Sequence, residues 1–121
     1  QVKTYRAQRP GDQFAILGLA EAQASEAGRD VRTATFQMRE LGKAQAMSEL
    51  PGMFKIVSDG ATGKVLGVHI AGAHATDLIA EAGLALRLGA SVRDIAATVH
   101  AHPTLAEGLY EAALSLVEAG G

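Results

Sequence analysis

The chain has 121 residues, 48% of them apolar, and a formal net charge of −2 at pH 7. That is enough apolar material for one modest core, too much for a disordered chain, and without the clustered basic face that binding to phosphate backbones requires. There is no cysteine, which removes disulfide staples, thiolate metal sites and a thiol nucleophile within the chain. No apolar run approaches the roughly 20 residues that cross a bilayer, and the opening residues do not read as a signal peptide.

Residues 1–13 read as a poorly defined N-terminal segment. Val2 and Tyr5 carry a short strand signal, and Arg6, Arg9, Pro10, Gly11 and Asp12 read as loop. A single domain is expected over 14–121. Phe14 to Leu19 is a compact apolar run of strand length, Ala20 to Ala27 reads as a short helix, and Gly28 stands where a left-handed cap costs least. Val31 to Met38 is a second strand, rich in β-branched residues. Residues 39–50 read as a surface connection with one helical turn. Pro51-Gly52 marks a turn, followed by a hairpin of Met53–Ser58 and Lys64–Ala71 around the loop Asp59-Gly60-Ala61-Thr62-Gly63.

Beyond Gly72 the pattern becomes helical. Leu78, Ile79, Ala82, Ala85 and Leu86 form a stripe over Ala75–Leu88, and Gly89 closes it. Ser91 and Asp94 make a capping box for a short helix through Ala97, and Thr104 with Glu107 makes a second one for a helix over Leu105–Val117. Strands first and helices second predict an α+β fold, an antiparallel sheet with helices packed on one face.

The densest chemistry is His100-Ala101-His102-Pro103-Thr104-Leu105-Ala106-Glu107. His102 precedes a proline, so its backbone is pushed out of helical angles at the approach to a helix. Imidazole is the side chain best matched to proton transfer near neutral pH, and a carboxylate beside it fixes its tautomer. Glu107 reads equally as a cap alone, reaching back to the Thr104 amide. His100 and His102 form a His-x-His pair of metal-ligating type, but no convincing third ligand accompanies them. His69 and His74 read as structural or surface residues. Neither glycine run is a phosphate cradle: 59–63 is a hairpin loop, and Gly67 to Gly72 lacks a dinucleotide fingerprint. The residues thus supply an acid/base pair with no nucleophile and no cofactor motif.

The stretch 100–107 closely resembles the C-terminal signature of dihydrolipoamide dehydrogenases, flavin-dependent disulfide oxidoreductases. Phe54-Lys55-Ile56-Val57 with Thr62-Gly63-Lys64-Val65-Leu66-Gly67-Val68-His69 resembles that family's hairpin, Gly72 to Glu81 its long interface helix, and Gly42-Lys43-Ala44 its connection after the second strand. The similarity runs over about 14–119. It departs from the family pattern at Asp12 to Ala15, at Ala20 and at Leu41. The resemblance implies a C-terminal dimerisation, or interface, domain, with FAD and NAD held elsewhere in the full-length enzyme and none by this domain alone. It implies a homodimer in which His102, oriented by Glu107, acts as acid/base in the partner subunit's active site, with the His102-Pro103 backbone near the partner's flavin. It implies docking to the subunit-binding domain of the acyltransferase core of a 2-oxo acid dehydrogenase complex, in the cytoplasm or, in a eukaryote, the mitochondrial matrix. No nucleic acid, membrane or metal partner is implied. The isolated domain is expected to be inactive. The alternatives are a stand-alone dimerisation or docking module and the equivalent domain of a related disulfide reductase.

Overall fold

A hairpin of two long strands, β4 (Gly52–Asp59) and β5 (Val65–Ala73), forms the centre of the molecule. The computed structural model describes residues 3–6 and 12–120, with side chains from residue 13 onward. Val2 and the loop expected at Arg9 to Gly11 lie outside the described residues, whereas Arg6 and Asp12, expected in that loop, end and begin the strands Lys3–Arg6 and Asp12–Gly18, where backbone pairing holds them extended. On one side of the hairpin β3 (Val31–Gln37) pairs with β4. On the other, β2 (Asp12–Gly18) pairs with β5, and β1 (Lys3–Arg6) pairs with β2. All pairings are antiparallel, in the order β1-β2-β5-β4-β3. The hairpin loop closes on itself: the Asp59 carboxylate accepts from the Ala61 amide (3.2 Å) and the Thr62 hydroxyl (2.8 Å). A register shift at Val57/Ser58 marks a bulge next to it.

Alternation along the strands sorts the core. Phe54, Ile56, Val68 and Ile70 face one side and are fully or almost fully buried. Covering them are α3 (Ala75–Leu88), which lies on β2 and β5, and α5 (Glu107–Ala119), which lies on β3 and β4; α4 (Val92–Ala97) packs beside α5. The buried stripes are Ala75, Ile79, Ala82 and Ala85 on α3, and Leu109, Ala112, Ala113 and Leu116 on α5. Their alanines bring the helix axes close to the sheet. Burying a large side chain such as Phe54 or Leu109 stabilises the fold by about 1.5–3 kcal/mol each. The α+β reading, with helices layered on an antiparallel sheet, holds. The six-residue α1 (Glu21–Glu26) is an addition on the other face, where Ala24 meets Val57 and Leu66 and Glu21 meets Lys55 at 3.1 Å.

Two local readings are corrected. Residues 39–50 are not a mere surface connection: a 3-10 turn at Met38–Glu40 leads into α2 (Gly42–Met47), and Met38, Leu41 and Ala44 are buried. The three-residue spacing Met38, Leu41, Ala44, Met47 was the available signal, diluted by the charged and glycine residues between. The last helix starts at Glu107 rather than Leu105, and its capping box is half made. Glu107 accepts from the Thr104 amide at 2.9 Å, but the Thr104 hydroxyl donates to the Ala101 carbonyl at 2.6 Å instead of capping the helix. By contrast the box at Ser91 and Asp94 is complete, and α3 ends at Gly89, whose φ of 67° favours glycine.

Candidate functional site

Residues 98–106 cross from the end of α4 to the start of α5, over the edge of the helical layer. The segment is pinned at both ends. At the first, Thr98 ends α4 with its hydroxyl donating to the Asp94 carbonyl (2.8 Å). At the second, the Thr104 hydroxyl and amide bond as described. Between them the His102–Pro103 peptide bond is cis, and the His102 side chain is 76% exposed.

That exposed ring is held by one partner. His102 Nδ1 lies 2.9 Å from both carboxylate oxygens of Glu107, whose own side chain is only 21% exposed. The Thr104 amide holds the Glu107 carboxyl below the ordinary glutamate range, against the opposing effect of burial and with a smaller lowering contribution from the His102 ring. An ionised carboxylate is an acceptor only, so Nδ1 carries the hydrogen and Nε2 is left as the basic nitrogen, directed away from Glu107. Sequence spacing alone left cap and orienter as alternatives for Glu107. The structure shows one carboxylate making both contacts.

The two histidines of the His-x-His pair do not converge. His100 turns inward, with a side chain 7% exposed, and its Nε2 lies 2.6 Å from Glu81 of α3. Its Nδ1 lies 2.9 Å from the Thr98 carbonyl, and its ring tilts against Tyr110, centroid to centroid 5.5 Å. A hollow of about 340 Å³, lined by Val99, His100, Glu107 and Tyr110 among others, lies beside the pair. Glu81 and Tyr110 escaped the sequence reading. Glu81 is the one acidic residue in the run Leu78–Leu88, but nothing local ties it to a histidine nineteen positions later. The other two histidines sit as read. His69 is half-buried with Nε2 3.3 Å from the Leu19 carbonyl, and His74 is exposed at the start of α3, 3.7 Å from Asp77.

Comparison with known proteins gives a consistent result. The pyridine nucleotide-disulphide oxidoreductase dimerisation domain family matches residues 12–113. The dihydrolipoyl dehydrogenase of Thermus scotoductus is 44% identical over 106 residues, covering 88% of this chain and 23% of that protein. That of Bacillus subtilis is 45% identical over 101 residues, covering 84% and 21%. Among solved structures, LpdA from Mycobacterium tuberculosis superposes with a TM-score of 0.87 at 23% identity over 96% of this chain and 25% of its own. The HOCl-induced flavoprotein disulfide reductase RclA from Escherichia coli gives a TM-score of 0.83 at 20% identity, over 94% of this chain and 26% of its own; at these identities the structures share the fold. The chain spans less than a quarter of the length of the two sequence relatives. With that match over most of its length, the chain belongs to the dimerisation-domain family of the pyridine nucleotide-disulphide oxidoreductases.

Proposed function

We propose that residues 14–121 are the interface domain of a flavin-dependent dihydrolipoamide dehydrogenase, and that His102 and Glu107 are its acid/base pair, presented to the active site of the partner subunit in a homodimer. The observation that carries this reading is the pairing of opposites at His102: a ring oriented by a carboxylate at 2.9 Å, yet 76% exposed. A base built to act within this chain would face a pocket of this chain. This one faces outward.

The chemistry needs such a base. A thiol with a pKa near 8.5 is largely protonated at neutral pH, and the thiolate is the form that attacks a disulfide. His102 Nε2 takes the proton from one thiol of the substrate dithiol, and Glu107 steadies the resulting imidazolium through Nδ1. In the reverse direction the same nitrogen returns it. The flavin, when bound, supplies the passage of electrons from dithiol to NAD. What this chain offers toward it is the exposed backbone at His102–Pro103, a flat edge suited to approach a planar ring; the remaining length of the relatives would hold both cofactors. The subunit-binding domain of the acyltransferase core of a 2-oxo acid dehydrogenase complex belongs to this proposal as the assembly partner. None of the helices among the described residues is long and apolar enough to cross a membrane.

Replacing His102 by Gln in the full-length enzyme is expected to lower turnover of dihydrolipoamide by roughly 10²–10⁴-fold, the usual weight of general acid–base catalysis, with an unchanged Tm because the ring is exposed. Undiminished turnover would remove His102 from the mechanism.

A further inference from the structure

We infer that Glu81 and His100 form a positioning clamp that holds His102 in register for proton transfer, an inference that rests on the role proposed for His102. The molecule carries two His–carboxylate pairs within three residues of chain, and they are opposites. His102–Glu107 is exposed and has a ring nitrogen to spare. In His100–Glu81 the ring is buried and the carboxylate half-buried, with side chains 7% and 30% exposed, and no ring nitrogen is to spare. Nε2 of His100 meets the Glu81 carboxylate at 2.6 Å and Nδ1 meets the Thr98 carbonyl at 2.9 Å. With both nitrogens engaged by oxygens of the same domain, His100 cannot exchange a proton with a substrate without breaking one of these bonds. Its ring is instead fixed against rotation.

What it is fixed to matters. Glu81 belongs to α3, whose Ile79 and Ala82 are anchored in the core. Thr98 ends α4. Tyr110, against which the ring tilts at 49°, lies on α5 three residues after Glu107. One imidazole therefore registers three helices at the point where the chain leaves them for the loop. Two residues on, His102 has no packing of its own to hold it. An exposed ring can be placed accurately only by its backbone and its orienting carboxylate. The clamp fixes the backbone on one side, the Thr104 bonds to Ala101 and Glu107 fix it on the other, and Glu107 fixes the ring. A displacement of about 1 Å at a reacting group costs on the order of 10²-fold in rate, so a clamp at this place contributes to turnover without touching substrate.

The test is a mutant cycle in the full-length enzyme, with dihydrolipoamide as substrate. Glu81→Ala, at a partly exposed helical position where alanine is well tolerated, is expected to lower kcat about 10- to 100-fold with KM little changed. Glu81→Gln, whose amide still bonds to Nε2, should restore most of the rate. His100→Phe, which keeps a ring against Tyr110 and removes both hydrogen bonds, should behave as Glu81→Ala and serves as the second variant. In a His102→Gln background Glu81→Ala should produce no further loss, because there is no base left to misplace. Wild-type kcat in both Glu81→Ala and His100→Phe would overturn the clamp. So would an equal proportional loss with and without His102, since that is the signature of a general structural effect. Undiminished turnover in His102→Gln alone would instead remove the proposed function and the clamp with it.

Discussion

At the scale of single residues, Glu107 does two jobs with one carboxylate, and its titration reports on both. Its pKa is lowered in the folded state, chiefly by the Thr104 amide and less by the His102 ring. Such a group stabilises the fold fully above its ordinary value of 4.5, and that contribution is lost as the pH falls through the lowered folded value. Glu107→Gln should therefore be less stable than the wild type at pH 7, with the gap closing below about pH 4.5; denaturant unfolding across pH checks this, and a gap that is constant with pH would contradict it. The pair was legible in the sequence because its members are local. Thr104, Glu107, His102 and Pro103 lie within six positions, and each has a strong backbone preference. Glu81 and Tyr110 were not legible, since each meets His100 only after the helices have packed, and no spacing rule joins positions 81 and 100.

At the scale of elements, the placement of Glu107 depends on how closely α5 sits on the sheet. Gly108 lies directly over the Phe54 ring, and a Cβ there would overlap it. Phe54 is fully buried in the core. Gly108→Ala is thus expected to destabilise the domain by about 1–3 kcal/mol, the usual range for overpacking, despite alanine's better helix propensity; a thermal or denaturant midpoint that rises instead would show that the helix can lift without cost. The same closeness explains where element reading succeeded. The α3 stripe is repeated over four turns and ends at a glycine, so its bounds Ala75–Leu88 were readable to the residue. Over Met38–Met47 the apolar residues recur only every third position across a break in helix type, and the pattern is too short to separate from a loop before its burial is known. α5 starts at Glu107, two residues later than a complete capping box at Thr104 predicts. Thr104 spends its hydroxyl on Ala101, tightening the loop rather than capping the helix.

At the scale of the whole molecule, the strands-then-helices order gave the fold class, because an antiparallel sheet with one apolar face leaves few ways to place three amphipathic helices. The layering is what lifts residues 101–103 clear of the core, between buried His100 and Leu105, and turns His102 outward. An outward base has a genetic consequence. If each active site of the homodimer takes its base from one subunit and its redox groups from the other, then two differently disabled subunits can repair one another. Co-expressing a His102→Gln subunit with one disabled only in the redox half should restore about a quarter of wild-type turnover, since about half of randomly assembled dimers are mixed and each mixed dimer has one intact site. Either variant alone should remain nearly inactive. No recovery in purified mixed dimers would mean that each chain serves itself. Recovery would make loss of this histidine a defect of the neighbouring subunit's active site, complemented by any subunit that still carries it.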